Sequence, residues 1–285
     1  MEVMVSKGFV VLAQNTETID YVKQAYALAL SIQYSQTKIK AISIITNDCI
    51  PIEYLEVFDK VIKIPWKDDA KNKYWKVENR WKIFHASPYD ETIVLDTDML
   101  LVEDIKLWWD YCSQYDLRFC STIKNYKQEY VVDTVYRKAF IANKLSNPYF
   151  ALHYFKKSEL AYNFYKVLEF VSNNWEWCYT TFAPKDYQNW LSMDLAASIT
   201  IEIMGLQDTV IDDISPLEFI HMKPLIQGWD SSYTSWQDAV MYILNTNGEL
   251  VVGNIKQSKL FHYVEKNFIT DTLILKLRKL CNGKN

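Results

Sequence analysis

Three stretches of this chain are almost unbroken in their apolar character: Phe9-Val10-Val11-Leu12-Ala13, Ala41-Ile42-Ser43-Ile44-Ile45 and Thr92-Ile93-Val94-Leu95. A strand with one wet face alternates apolar and polar residues. A short continuous run instead predicts a strand covered on both faces. Between the first two runs, Ile19, Val22, Tyr26, Ala29 and Gln33 step by three and four, the stripe of an amphipathic helix. A further strand, Val61-Ile62-Lys63-Ile64, stops at Pro65, and residues 70–86 read as helical before Pro88. The order strand, helix, strand, strand, helix, strand predicts an α/β fold with a mostly parallel central sheet flanked by helices. Ligands of such sheets bind beyond the carboxyl ends of the strands. Those ends carry Gln14-Asn15-Thr16, Thr46-Asn47-Asp48 and Asp96-Thr97-Asp98.

The second half is less regular. Phe150 to Phe155 reads as a strand, Ser158 to Ser172 as a helix with Ser158 as its N-cap, and Asp194 to Met204 as a helix stopped by Gly205. Phe219 to Met222 and Leu260 to Tyr263 read as short strands ending near histidines, and Asp271 to Leu280 as a last helix. No repeat, low-complexity stretch or linker interrupts the chain, so 285 residues are expected to form one domain. The 43 aromatic residues (Trp 10, Tyr 20, Phe 13) are read first as core.

Glycine excludes some chemistry. None stands between Gly8 and Gly205, so a glycine-rich phosphate loop, and with it a nucleotidyltransferase, is a poor reading. GxSxG, HExxH, P-loop and GxGxxG patterns are absent. Five cysteines without a CxxC pair, and no signal-peptide pattern, lead to the expectation of reduced thiols and a cytoplasmic protein. No apolar stretch reaches the length of a membrane span.

Net charge is −4, which offers no whole-chain case for nucleic acid. Its distribution is uneven. Residues 60–82 and 256–285 each carry a net +5 and leave −14 for the rest. Two basic segments in an acidic chain either converge on one anionic ligand or form two solvated faces.

Asp96-x-Asp98 is the sharpest local feature. Twenty scattered aspartates would produce such a pair by chance, so its context carries the argument. It lies between Ile93-Val94-Leu95 and Met99-Leu100-Leu101-Val102, where both carboxylates become partly buried. Buried like charges are costly unless neutralised. A divalent cation neutralises them, and oxygen ligands select Mg²⁺ or Mn²⁺.

The segments Asn79-Arg80-Trp81-Lys82-Ile83-Phe84 and Thr92-Ile93-Val94-Leu95-Asp96-Thr97-Asp98-Met99-Leu100-Leu101 resemble the nucleotide-sugar glycosyltransferases of the A-type (GT-A) fold, especially the glycogenin-like group. Ala13-Gln14-Asn15 resembles their nucleotide-binding start. Tyr154 to Ser158 is similar to the passage after their acceptor-side motif, and Met193-Asp194-Leu195-Ala196 to a segment with an acidic residue near the reacting sugar. Phe261-His262-Tyr263 resembles the strand that brings a histidine to the metal. The resemblance covers most of the chain in order.

It implies a Rossmann-like GT-A domain over residues 1–285, with a nucleotide-sugar-binding half at about 1–105 and an acceptor half at about 106–285. It implies transfer of a sugar from a nucleoside diphosphate sugar, a UDP-sugar first, to a hydroxyl, with retention of configuration. Asp96, Asp98 and His262 would hold Mn²⁺ or Mg²⁺. Arg80 and Lys266 would contact the phosphates, with Lys223 behind them. Ala13, Asn15, Thr16 and Thr97 would line the donor site, and Asp194 would stand beside the transferred sugar. Two departures stand out. Ala151-Leu152-His153 replaces the usual Asn-x-Gly, and His262 precedes Lys266 without the usual glycine. His221-Met222-Lys223-Pro224 carries the Lys-Pro pair, so His221 competes with His262 as third ligand.

Glycan, protein and modified DNA remain open as acceptors. A viral enzyme glycosylating a hydroxymethylated base would use the two basic segments on phosphates. From another class, a haloacid-dehalogenase-type phosphohydrolase is suggested by Val94 to Asp98 with Val210-Ile211-Asp212-Asp213. In that family, however, the nucleophile opens the first strand.

Overall fold

The computed structural model describes residues 5–73, 76–131, 137–186, 188–211, 215–223 and 235–283. Its central sheet has six strands in the order β3-β2-β1-β4-β8-β6. These are β1 (Lys7–Leu12), β2 (Ile42–Ile45), β3 (Lys60–Ile62), β4 (Glu91–Leu95), β6 (Leu117–Cys120) and β8 (Tyr149–Lys156). The first four run parallel, in the register Phe9↔Ile42 and Val11↔Leu95. Then β8 runs antiparallel to β4, and β6 to β8. The sheet is thus parallel where the expected alternation holds and turns antiparallel where it lapses.

The apolar runs form strands because both faces are covered. Phe9, Val11, Ile93 and Leu95 enter one core with the helix Tyr21–Ser35, while Val10, Leu12 and Val94 enter a second with the helices Glu159–Asn173 and Met193–Met204. All are almost wholly withdrawn from water, at roughly 1.5–3 kcal/mol for a fully buried large aliphatic or Phe side chain. Gly8 is required in this layer. A Cβ there would stand 2.4 Å from the Tyr89 ring.

The helix boundaries have local causes. Ser158 accepts a hydrogen bond from the Ala161 amide and Ser192 from Leu195, while Gly205 ends its helix in the left-handed region at φ 64°. The helix expected over 70–86 is much shorter: among the described residues of that span, a 3-10 turn, Arg80–Lys82, and one α turn, Ile83–Ala86, form. Side chains capture the backbone before it. Asp68 takes the Ala70 amide, Asn79 takes the Asp69 amide, and Lys76 donates to the carbonyls of Ala70 and Lys71.

A second sheet, β5-β13-β9-β7, packs beside the first. It consists of β5 (Met99–Leu101), β7 (Thr122–Lys124), β9 (Glu218–His221) and β13 (Leu260–His262). β13 pairs antiparallel with β5 and parallel with β9, setting His262 against Met99 on one side and His221 on the other. A three-stranded sheet, β10 (Tyr242–Leu244), β11 (Leu250–Val252) and β12 (Ile255–Lys256), completes the strands. No described helix is long and apolar enough to cross a membrane.

Candidate active site

Asp96 follows β4, Thr97 and Asp98 form the turn, and β5 begins at Met99. The Asp96 amide donates to the Ala151 carbonyl, and the Tyr263 amide donates to the Asp98 carbonyl at 3.2 Å. These backbone bonds fix both aspartates at the carboxyl edge of the central sheet and bring the end of β13 over them. A cleft of about 270 Å³ opens there.

Asp96, Asp98 and His262 each offer a ligand atom, all within 4.8 Å of one another. His262 Nε2 lies 3.0 Å from Asp98 Oδ2, and Lys266 Nζ donates to the same oxygen. Arg80 donates to Asp96. Burial alone would raise the Asp98 carboxyl. His262 and Lys266 overcome it and hold the group well below the usual carboxylate range. Burial works against the charge on Lys266, but Asp98 raises its pKa on balance. Arg80 behaves likewise beside Asp96. In this arrangement protein cations neutralise the two carboxylates.

The donor set fits a divalent cation. Two carboxylates and an imidazole converge, and the carboxylates favour hard cations such as Mg²⁺ and Mn²⁺. His221 faces His262 with ring centroids 4.8 Å apart, and Nδ1 of each is buried without a hydrogen-bond partner. Burial, with His262 and Lys223 nearby, pushes His221 well below its ordinary pKa and keeps the ring neutral, the form that binds metals. Both histidines line the cleft, so each of the rival third ligands lies at hand.

Arg80, Asp96, Thr97, Asp98, Lys223, His262 and Lys266 all line this cleft. Three residues just after the first strand do not. Ala13 is wholly buried, Asn15 accepts from the Val22 amide at the start of the first helix, and the Thr16 hydroxyl accepts from the Ile19 amide. Leu12, the last residue of β1, and Gln14 line the cleft instead. Asp194 also lies outside its lining, bound to Arg137 and to the Phe150 amide at 2.7 Å.

Sequence reasoning did not single out Tyr21 and Lys76, which line the cleft, or Arg137. Tyr21 opens the first helix beside the Asn15 cap, and that position was the available signal. His153, at the departure from the usual Asn-x-Gly, is a buried core residue. Its Nδ1 meets the Phe150 carbonyl and its Nε2 the Tyr165 hydroxyl.

The two basic segments meet in this cleft through Lys76, Arg80 and Lys266, and several of their cations are already engaged. Lys82 is buried against Asp69, Arg80 is on Asp96, and Lys76 is on backbone carbonyls. In the later segment Lys256 is paired with Glu249, Lys259 with Glu218 and Lys266 with Asp98. The phosphate contacts invoked for a DNA acceptor therefore lose many of their donors. Asp212, Asp213 and Pro224 lie outside the described residues.

No protein-family model matches the chain, and no curated protein matches it. Solved structures do. The galactosyltransferase LgtC, in complex with donor and acceptor sugar analogues, is 13% identical over 96% of this chain and 95% of that chain, with a TM-score of 0.52. Mouse xyloside xylosyltransferase 1 is 12% identical over 90% of this chain and 97% of that one, with a TM-score of 0.51. The glycosyltransferase GlyE of Streptococcus pneumoniae TIGR4 is 15% identical over 73% of this chain, with a TM-score of 0.38, and the chain spans only 45% of its length. At such identities the likeness is one of fold: a mixed α/β domain with a parallel sheet and flanking helices, as in GT-A glycosyltransferases.

Proposed function

We propose that this chain is a metal-dependent glycosyltransferase that moves a sugar from a UDP-sugar to a hydroxyl acceptor, a glycan first, with retention of configuration. The convergence of Asp96, Asp98 and His262 within 4.8 Å, at the sheet edge where such folds bind ligands, carries this reading. Asp96, Asp98 and His262 hold Mn²⁺ or Mg²⁺, with His221 beside them. When bound, the metal supplies positive charge to the diphosphate leaving group. Lys266 and Arg80, which now neutralise the aspartates, give charge-assisted hydrogen bonds to phosphate oxygens. Thr97 and Gln14, which line the cleft, lie nearest the nucleoside, and residues up to about 105 form most of the donor half.

Asp194 is already engaged by Arg137 and the Phe150 amide, so it suits an orienting role better than that of a strong base. A retaining reaction, in which the leaving phosphate assists, needs no such base. The test is a thermal-shift panel of UDP, GDP, CDP and ADP, each with Mn²⁺, Mg²⁺ or EDTA. A bound ligand at a hundredfold excess over Kd stabilises by about 2.7 kcal/mol. A shift with UDP that EDTA abolishes is expected. No shift with any nucleotide, in either metal, overturns the proposal.

A further inference from the structure

A second cavity, of about 590 Å³, adjoins the same 3-10 turn. Arg80 faces the cleft, whereas Trp81 and Lys82 line this second space, and the two cavities share no lining residue. One wall is aromatic and the rest is charged or polar. Trp66 stacks on Trp81 with ring centroids 5.4 Å apart and 19° between the planes. His85 stands edge-on to Trp66 at 5.2 Å and to Tyr162 at 6.0 Å. Most aromatic side chains here fill the core, yet Trp66 is 69% exposed and Tyr162 47%. Trp66 also has φ 59°, a left-handed conformation unusual for so bulky a residue and costing about 1–3 kcal/mol.

The charges around this cavity are paired. Lys82 and Lys67 both bind Asp69, at 2.7 and 3.1 Å, and Lys166 binds Glu169 at 2.7 Å. His85 is kept neutral at pH 7 by burial and by Lys157. The groups left without a hydrogen-bond partner are therefore uncharged: Trp81 Nε1 and His85 Nε2, both buried. Trp81 itself is only 4% exposed. Both nitrogens are closed off from solvent, so a ligand in the cavity meets the exposed indole of Trp66 and the polar rim instead. An anion finds no uncommitted lysine, and a cation meets three lysines against two carboxylates.

What fits is a neutral molecule with an apolar face to lie on an indole and hydroxyls around its edge. We propose that this cavity is a subsite for a neutral pyranose, which stacks on Trp66 and turns its hydroxyls to the polar rim at Asp69, Glu169 and Asn173. Asn173 continues the wall into a shallow depression at Trp175 and Trp177, the latter 56% exposed, so a glycan chain has room to extend. The subsite goes beyond the transferase reading and stands without it.

The test is tryptophan fluorescence of the whole chain, without nucleotide or metal, titrated with maltose, maltohexaose, cellobiose, lactose and chitobiose. Choline chloride and inorganic phosphate serve as charged controls. At least one sugar is expected to give a saturable change at millimolar concentration. Trp66→Ala should weaken it tenfold or more, Trp66→Phe less, and Asp98→Asn not at all. The proposal is overturned if no sugar saturates or only choline or phosphate binds. It also fails if the response survives Trp66→Ala or disappears in Asp98→Asn, since the sugar would then sit elsewhere.

Discussion

Two carboxylates in this molecule, Asp98 and Asp194, are each held by a basic side chain and a further hydrogen bond, yet their surroundings differ. Around Asp194 everything is matched. Arg137 donates to it, to Asn147 Oδ1 and to the Pro148 carbonyl, and is packed between the rings of Phe140 and Tyr149 at 4.0 and 4.2 Å. The second Asp194 oxygen takes the Phe150 amide. Around Asp98 the partners come from the end of β13 and the turn after it, the site opens to a cleft, and two histidine nitrogens remain unbonded. A network whose partners are already matched holds its carboxylate in one orientation. An open one, rich in charge and short of partners, is arranged for a ligand.

That contrast is testable from both sides. The largest effect is expected from Asp98→Asn, which keeps the shape but removes the charge. Sugar transfer should fall by about a thousandfold or more, and the EDTA-sensitive shift with UDP should vanish, while the far-UV circular dichroism stays unchanged. Full activity in that variant would remove Asp98 from the metal site. Next comes Arg137→Met, expected to cost about 3 kcal/mol by stranding Asp194, and so to lower Tm by roughly 6–12 °C. The UDP–metal shift should survive. If Tm holds and the shift is lost, the two clusters have been assigned the wrong way round.

Lys266→Ala should separate the two duties of that lysine. UDP affinity falls about tenfold with the lost charge-assisted bond, while Mn²⁺ alone binds more tightly because its competitor for Asp98 has gone. Calorimetry with each ligand separately reads both changes, and equal weakening of both would contradict the exchange. The smallest effect concerns pH. Because the folded Asp98 pKa is depressed, its stabilising contribution is complete above the unfolded value and is lost as pH falls below about 4. The raised pKa of Lys266 acts in the opposite direction: its contribution is complete below the unfolded value and fades as pH climbs above about 10.5. The Tm difference between wild type and Asp98→Asn should therefore shrink below about pH 4 and above about pH 10.5.

How much could be read from residues alone follows from how local each cause is. β1, β2 and β4 were legible because burial on both faces leaves an unbroken apolar run. Ser158 and Gly205 mark helix ends through chemistry confined to a few residues. The segment before Arg80 was misread as helix because spacing does not reveal that Asp68, Asn79 and Lys76 intercept its backbone. At the site, Asp96 and Asp98 were visible from their apolar flanks, and Lys266 only through resemblance. That Gln14 rather than Asn15 lines the cleft was not legible from strand period, because β1 ends at Leu12 and the Asn15 side chain is taken up by the distant Val22 amide. Arg137 carried no signal, since its partner lies 57 positions along the chain.

The distance between Asp98 and its partners has a bearing on the order of folding. His262 and Lys266 are 164 and 168 residues away, and β13 reaches Asp98 only by inserting between β5 and β9. The parallel strands β1 to β4 close over far shorter loops, which is the faster kind of contact to make. During synthesis β5 must wait with an unpaired edge until the last tenth of the chain emerges. The cleft is then among the final parts to assemble, and a ligand that binds it acts after the folding barrier. Such a ligand slows unfolding and leaves the rate of folding nearly untouched.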